Sequence, residues 1–572
     1  MIRDAARAFR RTAESVVGTG PAGTDTARPL GTWPRGDRWQ TVPVTAPGLQ
    51  LLLPAGLSAS AVADALAGEV PIVTQKAHTI ERTFWDTFDG RLHGAGVALA
   101  DAGRRLSLLD PATYLEQAGD THRRGSKRLL AGDLPPGPLR ERLEPLIEMR
   151  ALTPIARVRS RMLPLNVLDD VGKIVVRLRV EESTVVAGEP PGVGLPSRLH
   201  VIPVLGYDRE LDELRALLSS ALGLVEASRP VHDEAVEAQG GTVGGTSSKL
   251  RLKLRAEQRA DAAAVTILRR LLEIVELNLP GAFENVDSEF LHDLRVAVRR
   301  TRALQRELRA VFAPEPLRVF RDGFKELQRI TGPTRDLDVQ LLEFGELAAG
   351  LPDAVAGDVA PLRRLLEDHL VVERRTMVRT LRSDRTRGLL DNWSQFLDRL
   401  TACAAASPDA AAQADVAAGP DAARPVRDIA GRRIAKVYRR MVKMGAAIDD
   451  DTPAEALHEL RKQGKELRYL LEFFSSLYPG AVVKPMVSSL KDLQDVLGRF
   501  QDREVQAGLL RSLGDEVGVL DGGAAALMAM GVLVQRLSEE QAVARAQFAE
   551  SFAGFAARSQ RKLVEQTFGC RG

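Results

Sequence analysis

The 572-residue sequence lacks the raw material for several common kinds of protein. Its two cysteines, Cys403 and Cys570, exclude a disulfide-stapled scaffold and make a reducing cytosol the expected setting. Aromatic residues make up only 5%, which argues against a single-stranded nucleic-acid binder, because such proteins stack bases on aromatic side chains. The most apolar late stretch, "GGAAALMAMGVLV" (522–534), is too short and too rich in Gly and Ala to span a bilayer, so no membrane partner is expected. Residues 1–20 lack the apolar core of a secretory signal. A net charge of +3 provides no strong bulk field for nucleic acid. No Walker-type loop, metal-ligand quartet or nucleophile–His–acid set occurs, so no cofactor is expected.

What remains is an ordinary globular balance, 44% hydrophobic and 27% charged, rich in the helix formers Ala, Leu and Arg. Residues 1–40, with Gly, Pro, Arg and Thr but no sustained period, are expected to be disordered. Residues 41–235 are mixed. "GLSASAVADALAG" (56–68) and "DRELDELRALLSSALGL" (208–224) read as helices, whereas "ARVRSRM" and "KIVVRLRVEES" alternate with the period of strands. A Gly-rich linker is predicted at 236–248. From 249 to 572 helical patterns dominate, interrupted by an Ala/Pro-rich loop at 404–425. The predicted fold class is therefore α+β, a β domain followed by an all-α region.

One helical stretch, "FLHDLRVAVRRTRALQRELRAVF" (290–312), carries cations where packing residues would be expected. His292, Arg295, Arg299, Arg302, Arg306 and Arg309 recur at steps of three and four, which puts them within an arc of roughly 100°. Leu294, Val298, Leu308 and Phe312 occupy the neighbouring arc and can pack. At an offset of 166 residues the pattern returns: His292 falls on His458, Arg295 on Arg461, Arg299 on Lys465 and Arg302 on Arg468. Further on, Lys325 falls on Lys491, Gln328 on Gln494, Gly332 on Gly498 and Asp336 on Asp502. Residues 249–403 and 426–572 thus read as two copies of one unit.

Helix packing would preserve apolar positions, but it does not require the cations to be preserved. Off the stripe, Arg300 falls on Glu466, whereas the on-stripe cations at 295, 299 and 302 all fall on cations. A solvated face would mix signs, because like charges at i, i+4 repel by a few tenths of a kcal/mol. A series of cations points instead to an extended anion. His292 and His458 begin the two stripes and would strengthen anion binding as pH falls. The face carrying Arg432, Lys436, Arg440 and Lys443 is expected to join the same surface. Thr452 is the expected N-cap of the second basic helix, with Pro453 at its first position. Pro314 and Pro316 are expected to stop the first one.

"LHDLRVAVRRTR", "KELQRITGPTRDLDV", "LHELRKQGKELRYLLEFF" and "KDLQDVLGRFQD" resemble the two halves of a CHAD domain, the conserved-histidine α-helical domain, across 249–572. The resemblance implies two pseudo-symmetric helical bundles whose basic residues line a channel or groove for inorganic polyphosphate. It assigns contacts to His292, Arg295, Arg299, Arg302 and Lys325 in one half. In the other it assigns His458, Arg461, Lys462, Lys465, Arg468 and Lys491. Arg306 extends the first stripe. Association with polyphosphate granules in the cytoplasm is the location this implies.

"IERTFWDTFDGRLHGAGVAL" (80–99), "LTPIARVRSR" (152–161) and "LDDVGKIVVRLRVEES" (168–183) resemble segments of a CYTH domain, an antiparallel β-tunnel that binds triphosphates through inward basics and a carboxylate-held metal. Arg157, Arg159 and Arg161 on one strand, with Arg177, Arg179 and Glu181 on another, would line such a tunnel. The family's early Glu-x-Glu-x-Lys strand is missing, since "PGLQLLLPAG" (47–56) has neither Glu nor Lys. This predicts a degenerate domain that is catalytically weak or dead. The competing reading is a metal-dependent triphosphatase, for which Glu181, Glu182, Asp169 and Asp170 are the candidate carboxylates. A nucleic-acid binder is the third reading, disfavoured by charge and composition.

Overall fold

A computed structural model describes residues 48–103, 105–121, 126–186, 192–405 and 418–569. The predicted disordered segment and the middle of the Ala/Pro-rich loop lie outside these residues. The chain divides into two compact units, Met1–Ser247 and Ser248–Gly572.

The first unit is an antiparallel β half-barrel with strands β1 (Leu49–Leu52), β2 (Ile72–Thr74), β3 (His78–Thr87), β4 (Ala98–Ala102), β5 (Arg105–Leu109), β6 (Glu116–Thr121), β7 (Leu152–Leu168), β8 (Ile174–Val185), β9 (Arg198–Pro203) and β10 (Val225–Glu226). They pair in the order β10-β1-β9-β8-β7-β3-β4-β5-β6, with β2 added to β7. Among the described residues five α-helices accompany them: α1 (Ala59–Ala67), α2 (Arg91–Gly94), α3 (Pro138–Ile147), α4 (Asp208–Leu222) and α5 (Val231–Ala238). The sheet curls until β1 meets the turn beyond β5, where Gln50 Nε2 donates to the Ala112 carbonyl at 2.5 Å.

One face of the sheet is apolar. Leu51, Leu165, Val176, Leu178 and Val201 pack there against Val62 and Leu66 of α1 and Leu211, Leu214 and Leu218 of α4. The other face buries polar groups, and α5 fills part of it with Val231, Ala235 and Val236 against Phe84, Ala156, Val158 and Val185. The register separates the two basic rows expected to share a tunnel wall. Arg159 lies opposite Thr184 and Arg161 opposite Glu182, whereas Arg177, Arg179 and Glu181 oppose Asn166, Pro164 and Met162. Directly opposed residues share a face, so the two rows point to opposite sides. Arg157, Arg159 and Arg161 are exposed and paired with Glu81 and Glu182.

Glu181, on the polar face, is wholly buried, forms an ion pair with Arg82 and is hydrogen-bonded to His200 Nε2 at 2.6 Å. It also accepts hydrogen bonds from Ser160 at 2.7 Å and Ser183 at 2.8 Å. Although burial opposes its charge, the Arg82 cation and these donors hold its carboxyl well below the usual range. The segment expected to be a loose linker is also tied down. Residues 236–238 belong to α5, Gly241 N bonds to the Val236 carbonyl at 2.9 Å, and Thr246 N bonds to the Phe88 carbonyl at 2.8 Å. Gly90, at φ +67°, lies against Gly244 where a Cβ would collide with its carbonyl.

The second unit is helical: α6 (Ala260–Glu284), α7 (Ser288–Glu307), α8 (Pro314–Ile330), α9 (Gly332–Ala349), α10 (Ala360–Leu381), α11 (Asp384–Ala405), α12 (Val426–Gly445), α13 (Ala454–Phe473), α14 (Gly480–Ser512), α15 (Gly514–Gly518), α16 (Gly523–Ala546), α17 (Phe548–Phe555) and α18 (Arg558–Phe568). The first residues of α6, α7 and α8 lie 166 positions before those of α12, α13 and α14. Pro314 does not stop a helix but starts α8 at the position where its missing N–H costs nothing. Thr452 is not the N-cap either, because its hydroxyl donates to Asp449 Oδ1 at 2.6 Å and Pro453 takes that place. The α8–α9 break becomes one continuous α14 in the second copy, where Arg499 replaces Pro333.

Replacing Arg82 with Met leaves Glu181 charged and short of its main partner in a dry site. Chemical denaturation of the first unit is expected to show a loss of about 3 kcal/mol. A loss below about 1 kcal/mol would mean that His200 and the two serines hold the carboxylate unaided.

Candidate functional site: a cationic seam between the two repeats

Helices α7 and α13 present their basic stripes to each other. On the opposite side each is anchored by apolar residues, Leu291, Leu294, Val298 and Leu304 in α7 and Leu457, Leu460, Leu467 and Leu470 in α13, all buried in one core. Asp287 caps α7, its Oδ1 accepting from Glu289 N at 2.9 Å and Phe290 N at 3.2 Å.

Cross-links between the two helices fix the seam. Arg299 Nε donates to the Tyr469 hydroxyl at 2.6 Å. Arg300 forms an ion pair with Glu472, and Arg306 Nη2 lies 2.7 Å from Glu466 Oε1. In the repeat, position 300 corresponds to 466 and position 306 to 472. The two pairs are therefore exchanged by the repeat symmetry: the first copy supplies both arginines and the second both glutamates. This gives the off-stripe change from Arg300 to Glu466 a physical reason. The guanidinium of Arg306, expected to extend the first stripe, is shared between Glu466 and Glu307.

At the centre of the seam the cations are held by neutral acceptors. Arg295 Nη1 donates to the Gln328 carbonyl at 3.0 Å and to Thr331 Oγ1 at 2.9 Å. Arg302 donates to Gln328 Oε1. Lys465 has no hydrogen-bond or ion-pair partner among the described residues. Burial, reinforced by the neighbouring Arg461 and Arg299 cations, pushes its ammonium down from 10.5 to about 8. Burial likewise lowers Arg295, with Arg299 and Arg335 opposing its charge and Asp336 favouring it. Arg335, Arg295, Arg299, Lys465 and Arg461 are thus one electrostatically coupled series crossing from the first copy to the second.

The remaining expected residues divide. Arg461 is paired with Asp502 at 2.9 Å, Lys462 with Glu459 at 2.7 Å and Arg468 with Glu472 at 2.8 Å, so the second stripe is more nearly neutralised than the first. His458 donates from Nδ1 to Gln501 Oε1, and His292 is half-buried at the matching position. Lys325 and Lys491 are exposed on the helices that follow each stripe. Arg440 reaches the seam's flank, where its field acts on Glu459 and Glu466. Arg432 and Lys436 do not join it. They line a separate cleft with Arg439 and Arg561. Among the described residues no cluster of His, Cys, Asp or Glu is placed to hold a metal, and no helix is long and apolar enough to cross a membrane.

Sequence reasoning passed over Tyr469, Glu472 and the acceptors Gln328 and Thr331 as parts of the site. Gln328 and Gln494, like Asp336 and Asp502, do recur at the repeat offset, and that recurrence was the available signal. Gly332 and Gly498 also recur at that offset, each in ordinary van der Waals range of the arginine of its own copy. A Cβ at either would lie 3.6 Å and 3.8 Å from the guanidinium nitrogens of Arg295 and Arg461, respectively.

The CHAD domain family matches residues 266–511. These residues are a CHAD domain. Uncharacterized proteins from two Mycobacterium tuberculosis strains (CDC 1551 / Oshkosh and ATCC 25618 / H37Rv) are each 29% identical to the chain over 221 residues. The matched segment is 38% of this chain and 38% of each relative. Among solved structures, the CHAD domain from the plant Ricinus communis is 26% identical with a TM-score of 0.44, covering 54% of this chain and 95% of that one. PptA from Streptomyces chartreusis is 16% identical with a TM-score of 0.40, covering 52% and 99%.

The exchanged ion pairs of the CHAD domain can be measured. A double-mutant cycle on Arg300→Ala and Glu472→Ala is expected to return a coupling of about 1–2 kcal/mol in domain stability. A coupling near zero would show that the two copies are held together by their apolar core alone.

Proposed function

We propose that this protein binds inorganic polyphosphate along the seam between α7 and α13, and that this binding attaches it to polyphosphate granules. The observation that carries the reading is the set Arg295, Arg299, Arg302 and Lys465. These four cations lie close together, are half-buried and form no ion pair with a carboxylate among the described residues. Gathering such charge destabilises the free protein, and a linear polyanion relieves it. Polyphosphate has no bases to stack, which suits a seam where the one aromatic hydroxyl, that of Tyr469, is occupied by Arg299. CHAD domains are a family linked to polyphosphate binding, which supports the same choice.

The triphosphatase alternative draws no support from the first unit. Glu181 is bonded to Arg82 and His200, and Glu182 accepts from Ala59 N and Arg161, so these two of the four candidate carboxylates are engaged, while Asp170 is exposed. Asp169 is used in its own hairpin, where it accepts from Lys173 N at 2.7 Å.

The test is equilibrium binding of defined-length polyphosphate across a salt series with RNA as competitor. Wild type is expected to bind with a steep salt slope and to resist RNA. The folded variant carrying Arg295→Ala, Arg299→Ala, Arg302→Ala and Lys465→Ala is expected to lose at least a hundredfold in affinity. Undiminished binding by that variant would overturn the assignment.

Lys465 adds a pH signature. A bound polyanion raises its ammonium pKa, so affinity is full below about pH 7 and is lost as pH rises through 8. Between pH 7 and 9 the expected loss is about tenfold. Lys465→Arg should flatten the profile, and a wild-type profile that is already flat would show that Lys465 does not contact the anion.

A further inference from the structure

The cleft that holds Arg432 and Lys436 has a chemistry of its own. It lies between α12 and α18, with a volume of about 710 Å³, in the range typical of small-molecule sites. Arg432, Lys436, Arg439 and Arg561 line it, with Glu565 as the one acid among the lining residues. Three of the guanidinium groups are oriented through backbone carbonyls: Arg432 Nε to Asp428 at 3.3 Å, Arg439 Nε to Ala435 at 3.3 Å and Arg561 Nε to Ala556 at 2.8 Å. Among the described residues none of the four forms an ion pair. Between the cations lies an apolar floor made by half-buried Val442 and the aliphatic stems of the arginines and Lys436, laid over the buried side chains of Val564, Phe568 and Tyr438.

We infer that this cleft is a second anion site, for a phosphate monoester carrying a flat or apolar body. Inorganic polyphosphate would satisfy the cations but gain nothing from the floor. A neutral apolar molecule would leave the cations uncompensated. A phosphorylated aromatic or nucleoside-like compound uses both, because its phosphate takes charge-assisted bonds and its body buries the floor. This site is independent of the polyphosphate reading, since it shares no residue with the seam.

Fluorescence titration of the full chain with 1-naphthyl phosphate tests it, using inorganic phosphate and 1-naphthol as the two half-ligands. The naphthyl phosphate is expected to bind at least tenfold more tightly than either half-ligand. The pair Arg432→Gln and Arg561→Gln should weaken it at least tenfold. Lys436→Glu, on an exposed side chain that folding does not need, should weaken it several-fold even if the pair variant fails to fold. The seam pair Arg299→Gln and Lys465→Gln should leave it unmoved. Equal affinity for inorganic phosphate or 1-naphthol, indifference to Lys436→Glu, or loss that follows the seam variant would each overturn the proposal.

Discussion

Two helices that present cations to each other repel, and the C-terminal unit depends on how that repulsion is contained. Its solution is asymmetric. The second copy supplies Glu466 and Glu472 where the first has Arg300 and Arg306, which yields two cross-repeat ion pairs at symmetry-exchanged positions. Charge-assisted bonds of this kind contribute roughly 1.5–3 kcal/mol when partly shielded, against a few tenths for each exposed like-charge neighbour. The margin lets the central cations remain close. The lowered pKa of Lys465 is the residue of the conflict: the ammonium is kept where burial and two guanidinium groups disfavour it.

Containment of the charge and its availability are separate matters. The flanking arginines are spent on glutamates, while Arg295, Arg299 and Arg302 are oriented by a carbonyl, two hydroxyls and an amide oxygen. Neutral acceptors fix geometry without cancelling charge, so the seam is preorganised and still cationic. The second stripe is more heavily paired, through Asp502, Glu459 and Glu472, and on the proposed reading an anion would compete with those carboxylates there. The two halves of one repeat therefore contribute unequally to one surface.

Much of this was legible in the sequence because α-helices turn period directly into position. The stripe from Arg295 to Arg302, the apolar arc of Leu294 and Val298, and the return of both at a fixed offset needed no tertiary knowledge. What periodicity does not give is the neighbour across the gap. Arg300 and Glu466 were visibly mismatched, but their partners lie on the other copy, too far along the chain for local rules to connect. Arg432 and Lys436 share a helical face, as their spacing requires, yet that face meets α18 and not the seam. In the half-barrel, alternation put Arg157, Arg159 and Arg161 on one side of β7 without saying which side. The apolar cover of α1 and α4 over part of that face, and the register with β8, decided it.

On the proposed reading both copies build one anion site. Calorimetric titration with a short polyphosphate of defined length tests it through stoichiometry. One site per chain, weakened by Arg299→Gln on the first copy and equally by Lys465→Gln on the second, is the predicted result. Two independent sites, each lost to only one of those substitutions, would contradict it.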